Sequence, residues 1–160
     1  MEKHPELPVP DAIDRELLRQ LQRDARQTHK QLAAQLGLTV TPVYERVRRL
    51  ERQGWIQRYT AICDRHKLNR GLMVFCFVSI SPHKADLLRD FEAKVSAMPE
   101  VTGCYHLTGE FDYLLKVLVA DVEAYRHFMV NRMATLGPLS RVQSSIVMAE
   151  IKDTASVPIP

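Results

Sequence analysis

Residues 39–56 read TVTPVYERVRRLERQGWI. At about 100° per residue, Val43, Val47 and Leu50 share one face of a helix, and the arginines lie largely on the other faces. Gly54 then ends the helical pattern. The apolar face indicates that the helix packs against the core of a domain, and the arginine-rich face indicates that it contacts an anion. The major groove of DNA is the obvious partner; a solvated surface helix with Glu/Arg pairs is the alternative.

Two further helical patterns precede this segment. The first begins at Asp11, a good N-cap residue, and the second at Thr28, which has a glutamine three residues later as in a capping box. The second pattern ends at Gly37, which suits a left-handed C-cap. Pro42 is compatible with the third helix because the first helical turn makes no intrahelical amide bonds. Three helices with a glycine turn before the third predict a helix-turn-helix DNA-binding domain over residues 11–55.

Composition and charge separate the two halves of the chain. The 160 residues are 46% hydrophobic and carry a net charge of +3. Residues 1–70 hold 14 Lys/Arg against 9 Asp/Glu, whereas residues 71–160 hold 8 against 10. The basic half predicts contact with nucleic acid and the acidic half a different task. Three cysteines without metal-type spacing, no membrane-length apolar run and no signal peptide predict a cytoplasmic protein with reduced thiols and no membrane partner.

The sequence pattern changes after the arginine-rich helix. Residues 56–62 alternate like a short strand, so that 56–71 are predicted as a connecting strand and linker. Residues 72–152 follow the order β-α-β-β-α-β, which is that of a ferredoxin-like domain. The predicted elements are 72–80, 85–98, 101–108, 113–119, 122–136 and 142–150. The expected fold is α+β, with a disordered N-terminal tail at 1–10 and a loosely ordered C-terminal tail at 153–160.

The first predicted strand of this domain is apolar on both faces. Val74 and Cys76 lie on one face, and Phe75 and Phe77 lie on the other. Two helices cover only one face of a four-stranded sheet, so the second face needs another cover. A second copy of the sheet provides it and predicts a two-fold homodimer. Such a dimer would present two arginine-faced helices to a pseudo-palindromic operator in double-stranded DNA.

Two segments carry a resemblance to a known family. Residues 45–56, ERVRRLERQGWI, and residues 105–116, YHLTGEFDYLLK, stand in the order typical of the leucine-responsive regulators (Lrp/AsnC, the feast/famine regulators). The chain resembles this family over nearly its whole length. The resemblance implies a winged-type helix-turn-helix domain and a C-terminal ferredoxin-like sandwich, the RAM/AsnC ligand-binding domain, that dimerises. It also implies octamers or other higher oligomers, an amino acid or related metabolite bound between dimers, and a nucleoid-associated location in a bacterial or archaeal cytoplasm.

The third helix and its N-terminal turn supply the predicted DNA contacts. We expect Arg48 and Arg52 to face bases, and Arg46 and Arg49 to face the phosphate backbone. Residues 39–42 depart from the Ser-Pro-x-Pro that relatives often have, which bears on operator preference. The predicted DNA-binding residues are Thr39, Thr41, Pro42, Tyr44, Glu45, Arg46, Arg48, Arg49 and Arg52.

A loop in the second half is the predicted effector site. Gly109 permits a tight turn whose exposed amides can hold a carboxylate, and either Glu110 or Asp112 can bind an ammonium group. A plain hairpin with solvated carboxylates is the alternative, and the family resemblance favours the ligand role. The predicted effector-binding residues are Tyr105, Leu107, Thr108, Gly109, Glu110, Phe111 and Asp112.

Other functions have less support in the sequence. An enzyme similar to the sirohaem decarboxylases, which share this architecture, needs cationic and histidine side chains in its cleft, and only His106, Arg126 and His127 qualify. A non-specific architectural DNA-binding protein is a further alternative. Cys104, His106 and Glu110 form at most a weak metal set without a fourth ligand. We find no nucleophile motif, phosphate loop or cofactor fingerprint, and therefore predict no catalytic residues, no metal site and no cofactor.

Overall fold

The computed structural model describes residues 9–160, which form two compact units. One unit comprises the described residues up to Ala61 together with Asp153–Pro160, and the other comprises Ile62–Lys152. Most of the predicted N-terminal tail, residues 1–8, lies outside the described residues. No helix of residues 9–160 is long and apolar enough to cross a membrane.

The N-terminal unit contains three helices around one small core. Its helices are α1 (Ala12–Arg23), α2 (His29–Leu36) and α3 (Val40–Arg52). Val43, Val47 and Leu50 are buried, as the helical periodicity predicts, and they pack with Leu17 and Leu32. Because this core holds α3 by its apolar face, the opposite face of the helix remains at the surface.

Local capping chemistry sets the helix ends. The Asp11 carboxylate accepts from the amide of Asp14 at 2.8 Å, and the Asp14 carboxylate accepts from the amide of Asp11 at 3.2 Å. A second capping box forms at Thr28 as predicted, and Gly37 ends α2 at a left-handed φ of 64°. Thr39 is the N-cap residue of α3, but its side chain makes no capping hydrogen bond.

The predicted connecting strand at 56–62 is wrong. Residues 57–63 form no regular secondary structure, because no other strand of residues 9–160 lies beside them to complete a ladder. The segment is instead held by a side chain: the Tyr59 hydroxyl donates to Glu51 Oε1 of α3 at 2.9 Å. Partial burial and this hydrogen bond raise the pKa of Tyr59 to about 12.

The C-terminal unit has the predicted β-α-β-β-α-β order. Its elements are β1 (Leu72–Ile80), α4 (Ala85–Ser96), β2 (Val101–His106), β3 (Tyr113–Val119), α5 (Val122–Asn131) and β4 (Leu139–Ile146), with a 3₁₀ turn at Met133–Thr135. All neighbouring strands are antiparallel, in the order β2-β3-β1-β4. The last strand begins three residues earlier than predicted, directly after Gly137 and Pro138. The Pro138 carbonyl there accepts from the Ser81 amide at 3.2 Å, which places this turn beside the end of β1.

The two faces of the sheet differ in burial. Val74, Cys76 and Val78 on one face have no exposed surface and belong to the core with Phe91 of α4 and Phe128 of α5. The opposite face, here called the open face, carries half-buried apolar side chains and one exposed tyrosine. Its defining residues are Phe75, Phe77, Tyr105, Leu114 and Leu118. The strand that the sequence predicts to be apolar on both sides is therefore fully covered on one side only.

The C-terminal segment has a defined place in the N-terminal unit. Residues 153–160, predicted as a loosely ordered tail, have no regular secondary structure but form hydrogen bonds with α1. Val157 and Gln22 exchange two hydrogen bonds, at 2.6 and 3.1 Å. Arg19 donates to the carbonyls of Ile159 and Pro160, each at 3.3 Å.

Candidate DNA-binding surface and effector site

The outward face of α3 is a continuous row of exposed side chains. At about 100° per residue, its members all lie within roughly 60° of one line along the helix. They are Thr41, Tyr44, Glu45, Arg48 and Arg52, and Thr39 and Pro42 are exposed at the start of the helix. Arg48 Nη1 donates to the hydroxyl of Tyr44 at 3.1 Å, and its guanidinium lies 5.8 Å from the centre of that ring. The row presents two cations and several hydrogen-bonding groups in a helical register that fits a DNA groove.

Arg46 and Arg49 make a different set of contacts. Arg46 Nη1 lies 2.8 Å from Asp14 and 2.6 Å from Asp11, and Arg49 Nη2 lies 2.6 Å from Asp14. We call these four residues the Asp14 cluster. Asp14 is 3% exposed, and two cations neutralise its buried carboxylate while joining α1 to α3. The Asp14 amide and the Arg46 guanidinium also lower the pKa of Asp11.

The position of Asp14 in the sequence is itself a signal for this cluster. Asp14 precedes Leu17 by three residues and Leu21 by seven, which places a carboxylate on the apolar face of α1. A charge at such a position requires a cationic partner. The arginines of the third helix are the partners that the fold supplies.

Asp112 anchors the predicted effector loop to β1. Its Oδ2 accepts from the Ile80 amide at 2.7 Å, and its own amide donates to the Val78 carbonyl at 2.9 Å. His83 Nε2 lies 3.4 Å from the same carboxylate, and the Leu107 amide donates to the Asp112 carbonyl at 2.8 Å. The Asp112 side chain therefore has structural partners already, and only 16% of it is exposed.

Glu110 occupies the surface of the same loop. Its carboxylate is bound by Arg141 of β4, and the Arg141 guanidinium lies 4.8 Å from the centre of the Phe111 ring. Phe111 packs on Phe77 of the open face at 5.3 Å between centroids. Gly109 has a φ of 121°, the left-handed region that the predicted tight turn requires. The loop thus places a carboxylate, a guanidinium and an aromatic ring together at the edge of the open face.

Tyr105 of β2 lies on the same open face, across β3 from Phe77. It is 54% exposed, and a Cβ added to Gly103 would lie only 3.1 Å from its ring. Leu107 is half-buried and Thr108 is exposed. Gly103 and Arg141 were not among the predicted site residues, because their relation to the loop depends on strand pairing rather than on local sequence.

The side chains considered for an enzyme do not come together. His106 stacks on Tyr113 at 4.6 Å, while Arg126 is bound to a glutamate of its own helix. His127 lines a cavity with Val119, at the opposite end of β3. The seven residues of β3 span about 20 Å, which separates its two ends. Among residues 9–160 no group of three or more His, Cys, Asp or Glu side chains could hold a metal ion.

Both units match known domain families. Residues 10–57 match a family described as winged helix-turn-helix DNA-binding, and residues 73–157 match the Lrp/AsnC ligand binding domain. The chain belongs to the Lrp/AsnC family. The predicted α+β fold, with a winged-type helix-turn-helix domain and a ferredoxin-like ligand-binding domain, is confirmed for this Lrp/AsnC protein.

Relatives match this Lrp/AsnC protein over almost its full length. It is 40% identical to the leucine-responsive regulatory protein of Salmonella typhimurium and 39% identical to that of Escherichia coli, in each case over 90% of this chain and 88% of the relative. A Neisseria meningitidis transcriptional regulator solved with L-methionine is 37% identical, with a TM-score of 0.88 over 92% of this chain and 96% of that chain. An AsnC family regulator from Agrobacterium tumefaciens is 36% identical, with a TM-score of 0.89 and the same coverage. The protein is a DNA-binding transcriptional regulator of the Lrp/AsnC type.

Proposed function

We propose that this regulator binds a pseudo-palindromic operator as a homodimer and changes its DNA affinity or its assembly when an amino acid binds beside loop 107–112. The observation that carries the DNA-binding part is the exposed row on α3, held outward by a buried apolar face. The names of the relatives support the effector class, since one is leucine-responsive and another was solved with L-methionine. The protein acts by binding, without catalysis, in the cytoplasm.

The arginines of α3 divide into two roles. Arg48 and Arg52 face away from the core and read base edges, assisted by Tyr44. Arg46 and Arg49 position the helix through Asp14, and their remaining N–H donors contact phosphates, since a guanidinium has five donors in all. The other predicted contacts, Thr39, Thr41, Pro42 and Glu45, lie at the start and along the exposed row of the same helix.

The effector is recognised by the outer part of the loop. The Asp112 carboxylate accepts from the Ile80 amide of β1 and serves as the loop anchor. Glu110 and Arg141 are more than half exposed and already form an ion pair. When this pair opens, it offers a carboxylate to the ammonium group and a guanidinium to the carboxylate of an α-amino acid. Phe111 and Tyr105 then frame the effector side chain.

The open face is the dimer interface. Phe75 and Phe77 are half-buried in the single chain, whereas the residues alternating with them are fully covered. A second sheet laid face to face removes this apolar surface from water. Because Phe111 rests on the same face, effector binding and dimer packing share residues, which supports effector-dependent assembly into octamers or other higher oligomers.

Substitution of Arg48 tests the DNA-binding assignment. DNA from the region upstream of the protein's own gene is titrated with purified protein at fixed salt, against a random duplex of equal length. Arg48→Ala should weaken binding to the specific site by roughly tenfold to a hundredfold and binding to random DNA far less, because a base contact is lost. Arg126→Ala removes the same charge from α5 and serves as the control.

The same titration separates the competing functions. An equal loss on both duplexes would make Arg48 a phosphate contact, and an unsubstituted protein without preference for the upstream site would favour an architectural role. Each titration is repeated with L-leucine or L-methionine. A shift of the specific binding curve by either amino acid, absent in Glu110→Gln, is the expected result for the effector loop.

A further inference from the structure

His29 lies outside the exposed row on α3 but contacts one member of that row. It is the first residue of α2, directly after the N-cap Thr28, and it is half-buried. Its ring meets the ring of Tyr44 edge to face, with 5.3 Å between the centroids and 89° between the planes. Aromatic rings in this arrangement attract each other, because the positive edge of one faces the negative face of the other. The contact therefore joins the first turn of α2 to α3.

The capping box at the start of α2 fixes the position of His29. The Thr28 amide donates to Gln31 Oε1 at 2.8 Å, and the Gln31 amide donates to Thr28 Oγ1 at 3.3 Å. His29 lies between these two residues in the sequence. The same helix is anchored in the core by Leu32 and Ala33, which are both buried. The His29 ring therefore projects from a backbone that is well held on both sides of it.

Tyr44 in turn contacts Arg48, one helical turn further along α3. Arg48 Nη1 donates to the Tyr44 hydroxyl at 3.1 Å, and the guanidinium carbon lies 5.8 Å from the ring centre. Because a guanidinium has five N–H donors, this bond leaves enough of them for the paired contact with O6 and N7 of a guanine. A long exposed side chain loses rotamer freedom when it binds, and a contact that already restricts it lowers that cost.

The position of the Tyr44 ring decides where the Arg48 guanidinium is held. Tyr44 is 38% exposed, so that its orientation depends on the side chains beside it. Loss of the His29 ring would free one side of the Tyr44 ring, and its hydroxyl would then lie near Arg48 Nη1 for a smaller fraction of the time. A base contact needs the correct orientation, whereas attraction to phosphates does not distinguish sequences. We therefore expect the preference for a specific sequence to fall more than the affinity for random DNA.

We propose that His29 is a positioning residue for base readout. Its ring orients Tyr44, and Tyr44 orients the Arg48 guanidinium toward a base pair, while His29 itself contacts no base. Sequence specificity then depends on a residue of α2 as well as on the exposed row on α3. The inference rests on the base-reading role proposed for Arg48 and adds the origin of that side chain's orientation.

Binding of the full-length protein to two duplexes tests this role. One duplex is the sequence that the unsubstituted protein selects from a randomised library, and the other is random DNA of equal length. The specificity ratio is the Kd for random DNA divided by the Kd for the selected duplex. His29→Ala should lower this ratio by about twofold to tenfold, the size expected for one aromatic pair. His29→Phe keeps a ring at this position and should restore most of the ratio.

Gln35→Ala provides the matched control, since Gln35 is an exposed residue of the same helix. It should leave the specificity ratio unchanged. Tyr44→Phe is a second, independent variant, because it keeps the ring beside His29 and removes only the hydroxyl that accepts from Arg48. It should lower the ratio as His29→Ala does. Circular dichroism of each variant checks that it is folded.

A double-mutant cycle separates positioning from direct contact. If His29 acts through Arg48, His29→Ala should have no further effect on the specificity ratio of an Arg48→Ala protein. An equal loss with and without Arg48 would overturn the proposal in favour of an independent contact between His29 and DNA. A folded His29→Phe protein as unspecific as His29→Ala would overturn it equally.

Failure of this inference can be distinguished from failure of the Arg48 assignment. An Arg48→Ala protein that keeps the full specificity ratio would remove the base-reading role and the positioning role together, as would an unsubstituted protein that selects no sequence. A ratio lowered by Arg48→Ala but unchanged in both His29→Ala and Tyr44→Phe would leave Arg48 as a base contact and remove only the role of His29.

Discussion

Asp14 has two carboxylate oxygens, and each binds a different arginine of α3. Oδ1 lies 2.8 Å from Arg46 and Oδ2 lies 2.6 Å from Arg49, while Oδ2 also accepts from the Asp11 amide. The carboxylate is almost fully buried, whereas both arginines keep some exposed surface. Loss of the negative charge would leave Arg49 without this partner and Arg46 paired with Asp11 alone.

Asp14→Asn should therefore destabilise the protein. We expect the free energy of unfolding to fall by about 1–3 kcal/mol, since a buried charge-assisted contact is lost and the partners are partly hydrated. Urea denaturation at neutral pH followed by circular dichroism measures this. The control is Glu16→Gln, which removes a half-buried carboxylate bound to Arg19 on the same helix. Equal midpoints for the two variants would show that the Asp14 cluster contributes nothing beyond a surface ion pair.

The titration of Asp11 makes the stability contributed by the Asp14 cluster depend on pH. The Asp14 amide and then the Arg46 guanidinium hold the pKa of Asp11 below its ordinary value of 3.8. Because the folded pKa lies below the unfolded one, the stabilisation is complete above about pH 4 and is lost as the pH falls through the folded value. Asp11→Asn keeps a good N-cap but cannot titrate. Its free energy of unfolding should decline less steeply below about pH 4, and curves parallel to those of the unsubstituted protein would contradict the assignment.

At the scale of elements, the turn between α2 and α3 fixes the position of the DNA-binding helix. Gly37 ends α2 in the left-handed region, and the Leu38 amide donates back to the Ala33 carbonyl at 3.0 Å. Two residues later α3 begins at Val40. No atom lies within 4 Å of a Cβ added to Gly37, so backbone strain alone opposes a side chain there.

Gly37→Ala should cost about 1 kcal/mol of unfolding free energy through this strain. Gly37→Asn should cost less, because asparagine tolerates the left-handed conformation. Gly71→Ala is the matched control, since its φ is outside the left-handed region and its added Cβ would make only ordinary contacts. Thermal unfolding of the three variants ranks them. A Gly71→Ala protein less stable than Gly37→Ala would remove strain as the explanation.

The sequence predicts the end of a helix or strand well where neighbouring residues form the capping contacts. The capping boxes at Asp11 and Thr28 close within three residues, and both are present. The start of β4 was misplaced, because the turn before it is held by a hydrogen bond from the Ser81 amide to the Pro138 carbonyl, 57 residues along the chain. The predicted strand at 56–62 failed for a related reason: a strand needs a partner, and alternation alone does not supply one.

At the scale of the whole molecule, the sequence predicts the exposure of a site residue better than its distant contacts. Periodicity was sufficient to predict that Arg48 and Arg52 would be exposed. It could not show that Arg46 and Arg49 contact a carboxylate 32 and 35 residues earlier in the chain. The pairing of Glu110 with a β4 arginine was likewise not predictable from local sequence, since it depends on the position of β4 in the sheet.

The proposal that the open face is the dimer interface can be tested through the assembly state. Phe75→Lys places a charge in the proposed dimer interface, where burial of an unpaired ammonium group is costly. We expect sedimentation velocity to show a shift toward the single chain, with weaker operator binding because the two recognition helices are no longer linked. Ala93→Lys adds the same charge at an exposed position of α4 and should leave the assembly unchanged. A Phe75→Lys protein that is folded by circular dichroism and still dimeric would place the interface elsewhere.

The contacts of the last eight residues have a practical consequence for anyone who labels this protein. Because Arg19 and Gln22 of α1 bind the carbonyls of residues 157, 159 and 160, the segment Asp153–Pro160 belongs to the DNA-binding unit. An affinity tag or fluorescent protein fused after Pro160 would therefore be attached beside α1 of the helix-turn-helix. A fluorophore there would report on the neighbourhood of bound DNA, and a bulky fusion there would weaken operator binding while leaving amino-acid binding intact.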